Sequence, residues 1–193
     1  MSNRRSFIIT LLCCVAGCAQ PKLTLEDLKK MPKPERPKEL AMLEPMVGSW
    51  TGTGEMIIPG LDQKLAGTGA NTVAWDCDGR VLIEHFDWQM PDLGANGSMK
   101  GIVMYTFDPR EKEFHMHMAS SMGDMSRAEM TYDEKTKTWN IEEKGRDPMT
   151  GQPTKSRGTM KMPDNNTLEW QMTQYDAMGM TKKMEMKGTS KRK

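Results

Sequence analysis

From Trp50 onward, apolar and polar residues alternate with a period of two. Leu168, Trp170 and Met172 are separated by Glu169 and Gln171; Met160 and Met162 flank Lys161; Met184 and Met186 flank Glu185. Ala128, Met130 and Tyr132 alternate with Glu129 and Thr131, and Trp139 and Ile141 with Asn140. Successive side chains of a strand point to opposite faces, so this pattern predicts antiparallel strands that are buried on one side and wet on the other. The methionine set belongs inside and Lys161, Glu169, Gln171, Thr173, Glu185 and Lys187 outside, because a charge sealed among apolar groups would need a partner. Turn signals recur between the strands: Asp78-Gly79, Asn96-Gly97, Asp108-Pro109, Asp133-Glu134, Asp147-Pro148 through Gly151, Pro163-Asp164-Asn165 and Ala177-Met178-Gly179. Their spacing predicts a meander of about nine or ten strands. Two hairpins look alike: Phe107-Asp108 with Lys112 and Phe114 is repeated as Tyr132-Asp133 with Lys137 and Trp139.

One helix is expected, from Pro37 to about Met46, with Leu40, Leu43 and Val47 on one face and Pro45 straining its last turn. So little helix cannot cover a sheet, which must close on itself or pack on a second one. Consecutive hairpins without long crossovers favour an all-β, antiparallel up-and-down barrel, since closure removes both edges; a sandwich is the alternative.

The N-terminus follows a different logic. Arg4 and Arg5 precede an apolar stretch from Phe7 to Val15, too short for a membrane span of about 20 residues and built like a secretory signal. Val15-Ala16-Gly17-Cys18 resembles the lipobox of bacterial prolipoproteins. The expected organisation is therefore a signal over 1–17, a tether over 18–38, a barrel domain over 39–188 and a basic tail over 189–193. Cys18 would carry the lipid that holds the protein to a membrane, because two or three acyl chains anchor stably where one is marginal. The expected location is the cell envelope, and the outer membrane where there is one, since Ala19 follows the cysteine. Of four cysteines, Cys13 and Cys14 would leave with the signal and Cys18 be consumed by lipid. Cys77 would remain without a disulfide partner, so the domain has to stand on its core alone. A net charge of +1 with interspersed signs offers no basic stripe and excludes a nucleic-acid partner.

Leu43 to Gly54, reading L-E-P-M-V-G-S-W-T-G-T-G, resembles the opening of the bacterial DUF1579 proteins, a family of unknown function. The resemblance continues through Gly101 to Asp108, Ser121-Met122-Gly123, Asp147-Pro148 and Gly151, covering nearly all of 40–188. Gly48-x-Trp50 also resembles the lipocalin signature, and Gly48-x-Trp50-x-Gly52-x-Gly54 is similar to the nitrobindin opening. The resemblance implies a calycin-like barrel with Trp50 plugging one end near the short helix. Nitrobindins hold haem through a histidine on one of the last strands. Thr167 to Met186 contains none, so no cofactor is expected.

Candidate chemistry centres on 21 methionines. Met116, Met118, Met130, Met160, Met172, Met184 and Met186, with Trp50 and Trp170, fall at inward positions. They either pack as core or line a cavity for a small apolar ligand, a use for which flexible thioethers suit. A third reading is soft-metal binding by His115, His117, Met122 and Met125, since thioether plus imidazole suits Cu(I). Strand geometry disfavours it, because His115 and His117 point away from Met116 and Met118. No nucleophile elbow or phosphate loop is present, and adjacent Glu84 and His85 cannot form a relay on one strand. Glu84, His85 and Asp87 are read as wall decoration, and Cys77, between Asp76 and Asp78, as unreactive. A binding or scaffolding protein is expected rather than an enzyme.

Overall fold

The structure, a computed structural model, describes residues 24–147 and 150–193. The signal segment and Cys18 therefore lie outside the described residues. The chain divides between Glu35 and Arg36. Before that point lies α1 (Leu25–Lys30), started by a capping box in which Thr24 and Asp27 satisfy each other's backbone N–H. The tether expected over 18–38 therefore contains a short helix, with no buried residue. The barrel unit begins earlier than expected, at Arg36. Its guanidinium lies 4.3 Å from the Trp75 ring centre, pairs with Glu44 at 2.7 Å and donates to the Gly79 carbonyl at 2.6 Å.

The expected helix is present as a 3₁₀ helix over Lys38–Met46. Pro45 has no N–H to donate and its ring would collide with the carbonyl four residues back in an α-helix. A three-residue period also changes the buried face: Leu40, Leu43 and Met46 align and are buried, whereas Val47 is not part of that stripe.

Ten strands follow: β1 (Gly48–Ile57), β2 (Leu65–Asp76), β3 (Val81–Gln89), β4 (Ser98–Asp108), β5 (Glu113–Ser120), β6 (Met125–Asp133), β7 (Thr138–Arg146), β8 (Pro153–Asp164), β9 (Thr167–Asp176) and β10 (Lys182–Arg192). Each pairs antiparallel with its sequence neighbours, and β1 pairs with β10 to close the barrel. The turn signals read from the sequence fall at strand ends or between consecutive strands. The repeated hairpins are equivalent in backbone too. Asp108 accepts from the Arg110 N–H and Asp133 from the Lys135 N–H, each at 2.8 Å, and Lys112 and Lys137 both take a left-handed conformation, with φ of 58° and 53°. Their aromatic residues form one row, with ring centres 4.8 Å apart for Phe107–Phe114 and 4.9 Å for both Phe114–Trp139 and Trp139–Tyr132.

The expected boundary at 188 is too early. Residues 189–192 are not a solvated tail but the end of β10, where Ser190 is buried opposite Gly52 and Arg192 stands opposite Trp50. The apolar alternation stops there because the inward positions are small. The Trp170 ring lies against Gly188 so closely that a Cβ would sit 2.6 Å from it. Gly69 makes the same room for Trp88, at 2.5 Å. Trp88 and Trp170 then meet edge-to-face, ring centres 5.5 Å apart. Aromatic bulk laid on glycine fills the barrel from within.

Candidate functional site

The inward residues expected from the sequence do face inward. Trp50, Met116, Met130 and Met160 are buried in a single core, with Met118, Trp170 and Met172 packed against it; Met184 and Met186 are half-buried on β10. Of the outward set, Lys161, Glu169, Gln171 and Lys187 are exposed, and Thr173 and Glu185 are intermediate. The copper constellation is not assembled. Met122 and Met125 are exposed, and Met122 lies in the turn beyond β5, on the order of 20 Å along the strand from His115. His117 stands opposite Arg127, and burial, that cation and His115 depress its pKa in that order. Cys77 is exposed and free.

A cleft of about 240 Å³ opens where the 3₁₀ helix crosses the barrel end. Met42, Pro45 and Met46 form one wall; Tyr132, Trp139, Met160, Met162 and Leu168 form the floor and the other wall. Lys137, Asp164 and Asn165 stand in its lining as the polar groups. Each comes from a hairpin whose geometry fixes it. Lys137 holds the left-handed position closing the β6–β7 turn, and Asp164 caps the β8–β9 turn, accepting from the Asn166 N–H at 2.7 Å and the Thr167 hydroxyl at 2.9 Å. Those bonds hold the Asp164 carboxyl below the usual range, so it is an anion. Apolar walls with a few fixed polar groups are the ordinary composition of a small-molecule site. A second, more open hollow of about 370 Å³ lies among Thr159, Lys161, Glu169, Trp170, Gln171 and Lys187.

Glu84, expected on the barrel wall, takes its inner face. The Asn71 amide donates to Oε1 at 2.6 Å and the Tyr105 hydroxyl to Oε2 at 2.7 Å, tying β2, β3 and β4 together. Burial pushes its carboxyl above the ordinary glutamate range against the pull of these two bonds, and burial and Glu84 together push the Tyr105 hydroxyl well up. Glu143 is a second inward carboxylate, raised by burial despite the nearby hydroxyls of Ser126 and Ser156. Both were detectable by parity, since Glu84 sits between Leu82 and Phe86 and Glu143 follows Ile141 by two. His85 is exposed, and Asp87 pairs with Lys100 at 2.8 Å on the outer wall.

A raised carboxyl makes a pH prediction. The folded state holds the Glu84 proton more tightly than the unfolded chain does. The resulting stability is full below the ordinary glutamate value of 4.5 and is lost as pH rises through the raised value. Glu84→Gln should flatten that fall. Urea midpoints from about pH 4.5 to pH 7 check it, and an unchanged slope would clear Glu84 of responsibility.

These features define a closed, ten-stranded antiparallel barrel built as one meander, with a cleft at its helix-capped end. The chain belongs to the DUF1579 family, described as protein of unknown function, which it matches over residues 35–192. Its fold is similar to that of Rv2717c from M. tuberculosis, at TM-score 0.59 and 17% sequence identity over 82% of this chain and 99% of that one. A DUF3598-family protein of unknown function from Nostoc punctiforme PCC 73102 is more distant, at TM-score 0.46 and 11% identity over 78% of this chain and 49% of that one. No curated protein matches the chain.

Proposed function

We propose that this is a membrane-tethered binding protein that takes a small, largely apolar molecule in the cleft beside the 3₁₀ helix. The observation that carries this reading is the cleft lining: methionine and aromatic side chains at the edge of the core, with Lys137 and Asn165 beside them to meet a polar end group. The glycine-seated rings of Trp88 and Trp170 occupy the barrel interior, which favours the barrel end over the interior as the ligand site. The volume lies just below the usual range of about 300–1,000 Å³, which suits a compact ligand or one short chain. The tether rests on the signal-like N-terminus and Cys18.

Native mass spectrometry of gently purified protein should retain an organic mass, and decanoate should displace it. Met162→Arg, which fills the cleft from its margin, should abolish both while leaving the melting temperature nearly unchanged. Binding that survives Met162→Arg would remove the cleft from consideration. In the same preparations, Cys18→Ser should move the protein from the membrane to the soluble fraction.

A further inference from the structure

One imidazole has no satisfactory partner. His115 lies on the outward face of β5, yet only 7% of it is exposed. Its Nδ1 is sealed from solvent with no hydrogen bond. Its Nε2 is 3.5 Å from a Glu111 carboxylate oxygen, long for a hydrogen bond. Glu113, two residues before it on the same strand face, brings a second carboxylate. One ligand atom each from Glu111, Glu113 and His115 lie within 4.8 Å of one another.

We propose that Glu111, Glu113 and His115 form a binding site for a first-row divalent transition-metal ion of the Zn²⁺ type. Ligands about 2.0–2.2 Å from one tetrahedral ion stand about 3.3–3.6 Å apart; the Nε2–Glu111 separation of 3.5 Å matches this, and the exposed Glu113 carboxylate, within 4.8 Å, can close on the same point by side-chain rotation. The hairpin prepares the geometry. The Lys112 N–H donates to the Asp108 carbonyl at 2.7 Å, and the left-handed Lys112 turns the chain so that Glu111 folds back over the face carrying Glu113 and His115. Arg110, a cation of the same turn, is engaged by Asp108 at 2.8 Å. Glu129 stands opposite His115 on β6 and adds negative charge to the same face. Imidazole with carboxylates selects zinc-like ions over Ca²⁺ or Mg²⁺, and the absence of thioether or thiolate from the set disfavours Cu(I). Three protein ligands leave one position for water or an outside group.

The test is calorimetric titration of the chelator-dialysed full chain, solubilised in detergent, with ZnCl₂. One saturable ion per chain is expected, with a rise in melting temperature because the ion binds the folded state. Long-range proton–nitrogen NMR should show one His115 ring nitrogen shifting on addition. Glu111→Gln and Glu113→Gln alter exposed side chains and leave the fold intact, and each should weaken binding by about tenfold or more. His117→Gln and His85→Gln should bind as the parent does, and millimolar Mg²⁺ should not compete. Absence of saturable binding overturns the site. So does binding that survives the Glu111→Gln, Glu113→Gln double variant, or that is lost in His117→Gln.

Discussion

A chain ending at Gly188 is expected to lose cooperative unfolding altogether. The five residues removed look like a charged tail, but they complete the closing strand pair. Ser190 is buried opposite Gly52, and Lys191 pairs with Thr51. Arg192 lies over the Trp50 ring at 4.2 Å and donates to the carbonyls of Pro45, Val47 and Asn165. Hydrogen bonds as exposed as these contribute about 0.5–1 kcal/mol each and a part-exposed cation over an aromatic face about 0.5–1. Their joint loss, with an open sheet edge in place of the seam, approaches the about 5–15 kcal/mol that holds a whole domain folded. Arg192→Ala alone should cost about 2–4 kcal/mol. Thermal melts followed by circular dichroism check both. A truncated chain with the parent's transition would show the seam to be dispensable.

Trp50→Ala should cost about 3–5 kcal/mol, the usual penalty for deleting a buried tryptophan side chain. Only 1% of the residue is exposed, and its indole N–H donates to the Met46 carbonyl at 2.9 Å, where the 3₁₀ helix ends. The ring therefore sits between the helix that caps the barrel and the arginine that latches its last strand. Trp50→Phe separates packing from polarity: it keeps an aromatic ring but leaves the Met46 carbonyl without its donor, at a cost of about 1–2 kcal/mol. Urea denaturation at constant m-value measures both. A loss below about 1 kcal/mol for the alanine variant would place the ring outside the core.

Much of the barrel was written in the chain as alternation and turns. Asp108 with Lys112 and Asp133 with Lys137 specify equivalent hairpins. The end of β10 was hidden because its inward residues are glycine and serine, chosen to accommodate rings contributed by other strands. The helix was placed correctly, but Pro45 sets a three-residue period, and the buried face moved from Val47 to Met46. A wall position for Glu84 leaves its side of the sheet open, and parity decides it. Its neighbours Leu82 and Phe86 point inward, and so does it, since Asn71 and Tyr105 supply partners. The cleft could not be read, because Lys137 and Met162 meet through the β7–β8 pairing and Met42 reaches them only when the 3₁₀ helix crosses the barrel end. His115 was assigned correctly to the outer face, but the turn that folds Glu111 back over it leaves no trace in a period-two pattern.

The β1–β10 seam also sets an order of events. Nine of the barrel's ten strand pairings join neighbours in sequence, but the tenth joins residue 50 to residue 192. A polypeptide emerging N-terminus first, from a ribosome or through a translocation pore, can form hairpin after hairpin, yet β1 keeps an open edge until the last residues are free. Such an edge is a template for pairing with other chains. The longest loop closure must also precede its reward, which slows folding. The final step of maturation is thus a zipping of the two ends of the domain, and the interval before it is when the chain most needs shielding from its own copies.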